Sequence, residues 1–193
     1  MIGAAVERSP PFLFFLVVLS RSEVAAVLAR LHGPVRLMAS LMYGSGLGLL
    51  ECAELRVKDF NFERGELTVR DGKGGKDRVT MVPAALRPSL VEHLRQVKAQ
   101  HDVDVAAGPG AVALPGALAL KYPNAPREWT WQWVFPATRF YRAPATGEWR
   151  RPHLHETVVQ RAVTDAVRAA GIPRPAACGV RWTRLARGGP DRP

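Results

Sequence analysis

The chain has little cysteine. Two in 193 residues, Cys52 and Cys178, are too few for a disulfide framework. With no Cys-x-x-Cys and only five scattered histidines, no metal-ligand set is apparent either. Carboxylates are scarce beside bases: 17 Asp plus Glu against 27 Lys plus Arg give a net charge of +10 and a pI near 10.6. That balance excludes an acidic surface and makes nucleic acid the leading partner class. The plain alternative is a basic surface with no partner. Long apolar runs are missing as well. The compact stretch "PFLFFLVVL", Pro11 to Leu19, is too short to cross a bilayer. It lacks the basic leader of a signal peptide, because Glu7 offsets Arg8. It reads as a buried strand or an irregular start, and the chain reads as cytoplasmic with no membrane partner. Tyrosine is rare, at positions 43, 122 and 141.

Apolar residues make up 47% of the chain, enough for a core in one domain. "SRSE", Ser20 to Glu23, is a capping box ahead of a helical "VAAVLARL". "VRLMASLMY" continues as an apolar helix and stops at Gly44 to Gly46. "LGLLECAELRV" reads as a short helix and "KDFNFERG" as a turn. "PSLVEHLRQVKAQHDVDVAAG" repeats apolar residues at helical spacing through Leu90, Leu94 and Val97. A loop follows, with a helical piece around Ala117 to Leu120. "TWQWVFPA" is aromatic and strand-like, "RAPATGEWRRPH" is a turn-rich basic loop, and "ETVVQRAVTDAVRAAG" is an amphipathic helix closed by Gly171. The last stretch, from 173 to 193, is dense in Arg, Gly and Pro and predicts poor order. No internal repeat is present.

"ELTVRDGKGGKDRVTMVP", residues 66 to 83, predicts a β-hairpin. Leu67 and Val69 alternate with Thr68 and Arg70 on one leg. Val79 and Met81 alternate with Arg78 and Thr80 on the other, and Pro83 ends it. Gly72, Gly74 and Gly75 allow a tight tip that approaches another surface. Lys73 and Lys76 on such a tip reach phosphates, and a lysine also gives up a proton where its pKa is lowered. A solvated basic turn would have the same composition.

The stretch "LMYGSGLGLLECAELRVKDFNFERGELTVRDGKGGKDRVTMVP" resembles the first half of a tyrosine recombinase catalytic domain. More narrowly it is similar to the integron integrases, through "YGSGLGLLE…LRVKD" and the inserted segment "ALALKYPNAPREWTWQWVFP". The resemblance runs from about Val17 to Cys178. It implies a mainly α fold with a small antiparallel β-sheet, incomplete at the C-terminus. An irregular segment (1–16), a partial catalytic domain (17–172, with the insertion at 117–136) and a tail (173–193) follow from it. The implied chemistry is DNA transesterification through a 3′-phosphotyrosine, with no cofactor and no metal. Arginines and His or Trp donors hold the phosphate. By the resemblance Lys73 protonates the leaving 5′-oxygen, while Arg70, Lys76 and Arg78 face DNA.

The same comparison marks departures. The family's first phosphate-holding arginine sits in "GLRLLE"; here Gly48 takes its place, and glycine has no donor. Loss of one such donor costs about 10²–10³ in rate. Arg56 lies two helical turns on and is not expected to reach across. After Cys178 the family's His-x-x-Arg-His is replaced by "GVRWTRLARGGPDRP", and no tyrosine follows. The expectation is a frameshift near Cys178 and an inactive chain. Only about 16 residues precede the match, so the core-binding domain of the family is expected to be absent.

Trp129, Trp131, Trp133 and Trp149 are by default sheet and core packing. The resemblance offers Trp129 and Trp131 as stacking platforms for extrahelical bases of folded single-stranded sites. Arg150, Arg151 and His153 in "EWRRPH" would hold adjoining phosphates, and His155 is a helix-start residue. Three readings stand: a defective recombinase, a DNA-binding remnant that competes with intact protomers for recombination sites, and a pseudogene product without function.

Overall fold

The computed structural model describes residues 19–70, 76–116, 118–144 and 146–173. Among these the chain is mostly helical with two small antiparallel sheets. Helix α1 (Arg21–Arg30) starts as expected: Ser20 Oγ accepts the Glu23 N–H at 3.2 Å, and Glu23 accepts the Ser20 N–H at 2.7 Å. Leu19, the last residue of the apolar run, is buried; the rest of that run lies outside the described residues.

Helix α2 (Gly33–Ser45) has Pro34 in its first turn, where a missing N–H costs nothing. It ends on Gly46 in the left-handed region (φ 67°). Helix α3 (Leu49–Ala53) follows at once. A 3₁₀ turn, Val57–Asp59, leads into β1 (Phe60–Asn61), β2 (Glu66–Val69) and β3 (Arg78–Met81), which pair in that order. Helices α4 (Arg87–Ala107) and α5 (Leu118–Lys121), strands β4 (Tyr141–Arg142) and β5 (Trp149–Arg150), and α6 (Glu156–Ala169) complete the order. Val27, Met38, Leu41, Met42, Leu67, Leu90, Phe135 and Val159 form one core between α1, α2, the hairpin, α4 and α6.

The hairpin legs are the expected strands, but the apolar face of β3 is reversed. Val69 pairs with Arg78 and Leu67 with Thr80, and opposite residues of an antiparallel pair share a face. Leu67 and Val69 are buried, so Arg78 and Thr80 point inward while Val79 (63% exposed) and Met81 (59%) point out. The inward polar groups have partners. Thr80 Oγ1 donates to Ser45 O at 2.9 Å, and Ser45 Oγ donates to Met81 O at 2.9 Å. At Gly44 an added Cβ would lie 2.3 Å from Pro83 Cγ, so only glycine lets α2 touch the end of the hairpin this closely.

The segment "TWQWVFPA" is a 3₁₀ turn (Trp129–Trp131) followed by irregular chain, not a strand. It is held by isolated bridges, Arg56 to Trp133 and Pro136 to His153. The alternation of tryptophans imitates a strand, yet the pairing partner at Arg56 is a single residue. The basic loop after it holds the short β4–β5 ribbon. His155 caps α6, accepting the Thr157 N–H at 3.3 Å.

Two histidines of α4 carry a pH dependence. The His93 ring bonds to Val134 O at 2.7 Å, and His101 packs on Trp129. Burial holds both imidazoles below their ordinary value of 6.5. The unfolded chain binds protons first as pH falls through about 6.5, so stability is whole above that value and declines below it. A lower urea midpoint at about pH 5.5 than at about pH 7.5 is expected, with a smaller difference in His93→Gln. Equal midpoints in the parent chain would contradict the assignment.

Candidate nucleic-acid interface

The turn between α2 and α3 meets the inner face of β3. Gly48 precedes α3 with ordinary backbone (φ −71°, ψ 161°), and its N–H donates to Glu51 Oε2 at 2.7 Å. Arg78 forks onto the same carboxylate, Nη1 to Oε1 at 2.6 Å and Nη2 to Oε2 at 2.7 Å, and reaches Gly46 O at 3.2 Å. The Arg78 hydrogen bonds hold the Glu51 carboxyl below its usual range, and Glu51 in turn raises Arg78. Arg78 is therefore chiefly a brace between hairpin and corner, with 38% of its side chain exposed. No side chain projects at position 48, and a Cβ there would make ordinary contact, its nearest neighbour being Glu51 Oε2 at 3.4 Å.

A second cluster lies where the 3₁₀ turn 57–59 meets the aromatic insertion. Asp59 is buried; its Oδ1 accepts Arg70 Nε at 2.8 Å and its Oδ2 accepts the Arg56 N–H at 2.8 Å. The Arg56 guanidinium turns inward, donating to Trp131 O (2.6 Å) and Ala113 O (2.8 Å) and lying 3.8 Å from the Trp133 ring centroid. Burial lowers its pKa to about 10. The guanidinium is thus engaged by the carbonyls of Trp131 and Ala113. Lys58 lies with Nζ 3.1 Å from the Trp131 ring centroid. The motif "LRVKD" displays Lys58 in the sequence, but only the fold sets it on the insertion, so pattern reading passed over it. Lys76 is exposed just ahead of β3, at the tip end of the hairpin. Lys73 lies outside the described residues, as does the tail that follows Pro173.

The residues of the third expected cluster have partners within the chain. Arg151 is 11% exposed and pairs with Asp104 at 2.7 Å. It also donates to Ala137 O and Thr138 O and covers the Phe140 ring at 4.1 Å. Arg150 pairs with Glu148 at 3.2 Å. His153 bonds to Leu154 O and stands edge-on to Trp133, 5.3 Å between centroids. Trp129 packs on the core beside His101 (5.8 Å) and Lys98 (5.8 Å). Of the expected contacts, Arg70, Lys76, Arg78 and Trp131 thus fall on the hairpin side with Lys58, while Arg150, Arg151, His153 and Trp129 are engaged elsewhere. Among the described residues no cluster of His, Cys, Asp and Glu could hold a metal ion, and no helix is long and apolar enough to cross a membrane.

The phage integrase family profile matches residues 18–192, a span that includes most of the C-terminal tail. An integrase/recombinase of Escherichia coli is 46% identical over 171 residues, covering 89% of this chain and 51% of that protein. An integrase/recombinase of Pseudomonas aeruginosa gives the same figures. The chain spans about half the length of these two relatives. Tyrosine recombinase XerA of Pyrococcus furiosus is 48% identical over 61 residues, 32% of this chain and 21% of its own. A crystal structure of XerA recombinase superposes with a TM-score of 0.53 at 17% identity, covering 86% of this chain and 46% of that one, and shows a shared fold.

Proposed function

Because this chain belongs to the phage integrase family, we propose that it is a catalytic domain of a tyrosine recombinase of the integron integrase type, which keeps partial DNA affinity and is defective in strand cleavage. The observation that carries this reading is the corner at Gly48. A family member needs a guanidinium there to hold the scissile phosphate as charge develops. Here the position projects nothing, and the nearby Arg78 is spent on Glu51. The motif "YGSGLGLLE…LRVKD" and the tryptophan-bearing insertion favour the integron integrase type. Its substrates would be double-stranded or folded single-stranded recombination sites, and its protein partners other recombinase protomers.

A suicide DNA substrate tests the defect. The 193-residue polypeptide is expected to leave no covalent protein–DNA species on a denaturing gel, and any such band overturns the reading. A DNA-binding remnant that competes for sites is the second reading, favoured by the charge left on the hairpin side at Lys58, Arg70 and Lys76. Gel shifts at two salt concentrations should then show binding that falls steeply with salt. A pseudogene product would bind neither way.

A further inference from the structure

We propose that Lys58 and Arg70, set in place by Trp131 and Asp59, form a seat for a single backbone phosphate of DNA. The inference rests on the DNA-binding reading above and adds to it a residue pair with one ligand. The two cations come from different elements, Lys58 from the 3₁₀ turn and Arg70 from the end of β2. One carboxylate serves the cluster from within. The Asp59 side chain is 4% exposed, and both its oxygens are taken, one by Arg70 and one by the Arg56 N–H. Lys58 makes no ion pair with any described carboxylate, and Asp59 acts on it through space alone.

Lys58 is held by an aromatic face instead. The ring quadrupole attracts the ammonium without neutralising it. Trp131 is itself fixed, because its carbonyl accepts Arg56 Nη1 at 2.6 Å. Arg70 is oriented through Nε, while Nη1 lies 3.6 Å from Asp77 and half of the side chain faces solvent (49%). Its outer N–H groups thus face solvent in the same cluster as a lysine that no described carboxylate pairs. Burial first, then the charge of Arg70, weakens the hold of Lys58 on its proton. The 3₁₀ turn that carries Lys58 packs on β2, and Arg70 bonds the Asp59 of that turn, so the two cations share one neighbourhood and repel each other; a phosphodiester oxygen between them turns the repulsion into two charge-assisted hydrogen bonds. A neutral partner would give no such gain.

A methylphosphonate scan tests the seat. Single phosphates of a recombination-site duplex are replaced by the uncharged analogue, and binding is followed by gel shift. The parent chain is expected to lose about tenfold in affinity at one position in particular. That loss should vanish, at the same position, in both Lys58→Gln and Arg70→Gln. Each variant should also flatten the salt slope by about 0.9, and the double variant should lose less than the sum. Lys58→Arg and Trp131→Phe keep a cation over a ring and should retain the position-specific loss, which separates the seat from mere damage to the fold. Free inorganic phosphate at matched ionic strength should displace DNA no better than chloride; displacement at low phosphate would overturn the assignment to the DNA backbone. Losses at different positions in the two variants, or an unchanged slope, would overturn the shared seat while DNA binding stands. A folded parent chain that shifts no DNA at any salt concentration would remove the DNA-binding reading and the seat together.

Discussion

Asp104→Ala is expected to cost about 3–5 kcal/mol of folding stability, the range for removing one partner of a buried ion pair. Domains of this size have only about 5–15 kcal/mol to lose. The pair is nearly sealed, with side-chain exposures of 8% for Asp104 and 11% for Arg151 at 2.7 Å. Asp104 also accepts Gln100 Nε2 at 2.8 Å, so both its oxygens are engaged. Without it the Arg151 guanidinium keeps two carbonyls and the Phe140 ring but no counter-charge. The cost comes from the stranded cation and not from the net worth of the pair, so Asp104→Leu with Arg151→Met should recover most of the loss. Urea unfolding followed by circular dichroism reads both. A single variant within about 0.5 kcal/mol of the parent would show that the pair is solvated.

Gly48→Arg should tighten DNA binding by roughly tenfold to a hundredfold, the worth of one hydrogen bond to a charged group. It should also steepen the salt dependence by about 0.9, one phosphate's share. The site admits the change: φ at 48 is negative, and an added Cβ meets nothing nearer than 3.4 Å. The bond to the Glu51 carboxylate is donated by the backbone N–H of residue 48 and survives the substitution. Gly48→Ala separates charge from backbone stiffening and should bind as the parent does. An arginine variant with unchanged affinity and slope would mean that this corner does not meet a phosphate.

Much of the fold was legible because local rules and tertiary packing agreed. Ser20 and Glu23 cap α1 as their spacing requires, Gly46 and Gly171 end helices in the left-handed region, and the alternation of Leu67 and Val69 marks a buried strand face. The pattern misled where one residue pair overrode it. Arg78 and Thr80 turn inward because Glu51 and Ser45 satisfy them there, which drives Val79 and Met81 outward. The tryptophan run failed as a strand for a similar reason, since Arg56 supplies its anchor through the side chain and one bridge. At the candidate interface composition pointed to arginines in general. It could not tell Arg151, buried against Asp104 from a helix 47 residues earlier, from Arg70, half open to water. Partner choice at that separation is decided by the packing of α4 against the end of the β4–β5 ribbon, which no local spacing encodes.

The seam between α2 and the hairpin has a mechanical meaning. Four contacts cross it: Gly44 against Pro83, the reciprocal Ser45–Met81 and Thr80–Ser45 bonds, and Arg78 on Gly46. Together they clamp the two-stranded finger to the floor on which residue 48 sits. The described legs, β2 and β3, are thereby fastened to that floor as one piece. Whatever tilt they take, the floor takes with them, so residue 48 and the strand legs keep their spacing through any rocking of the domain.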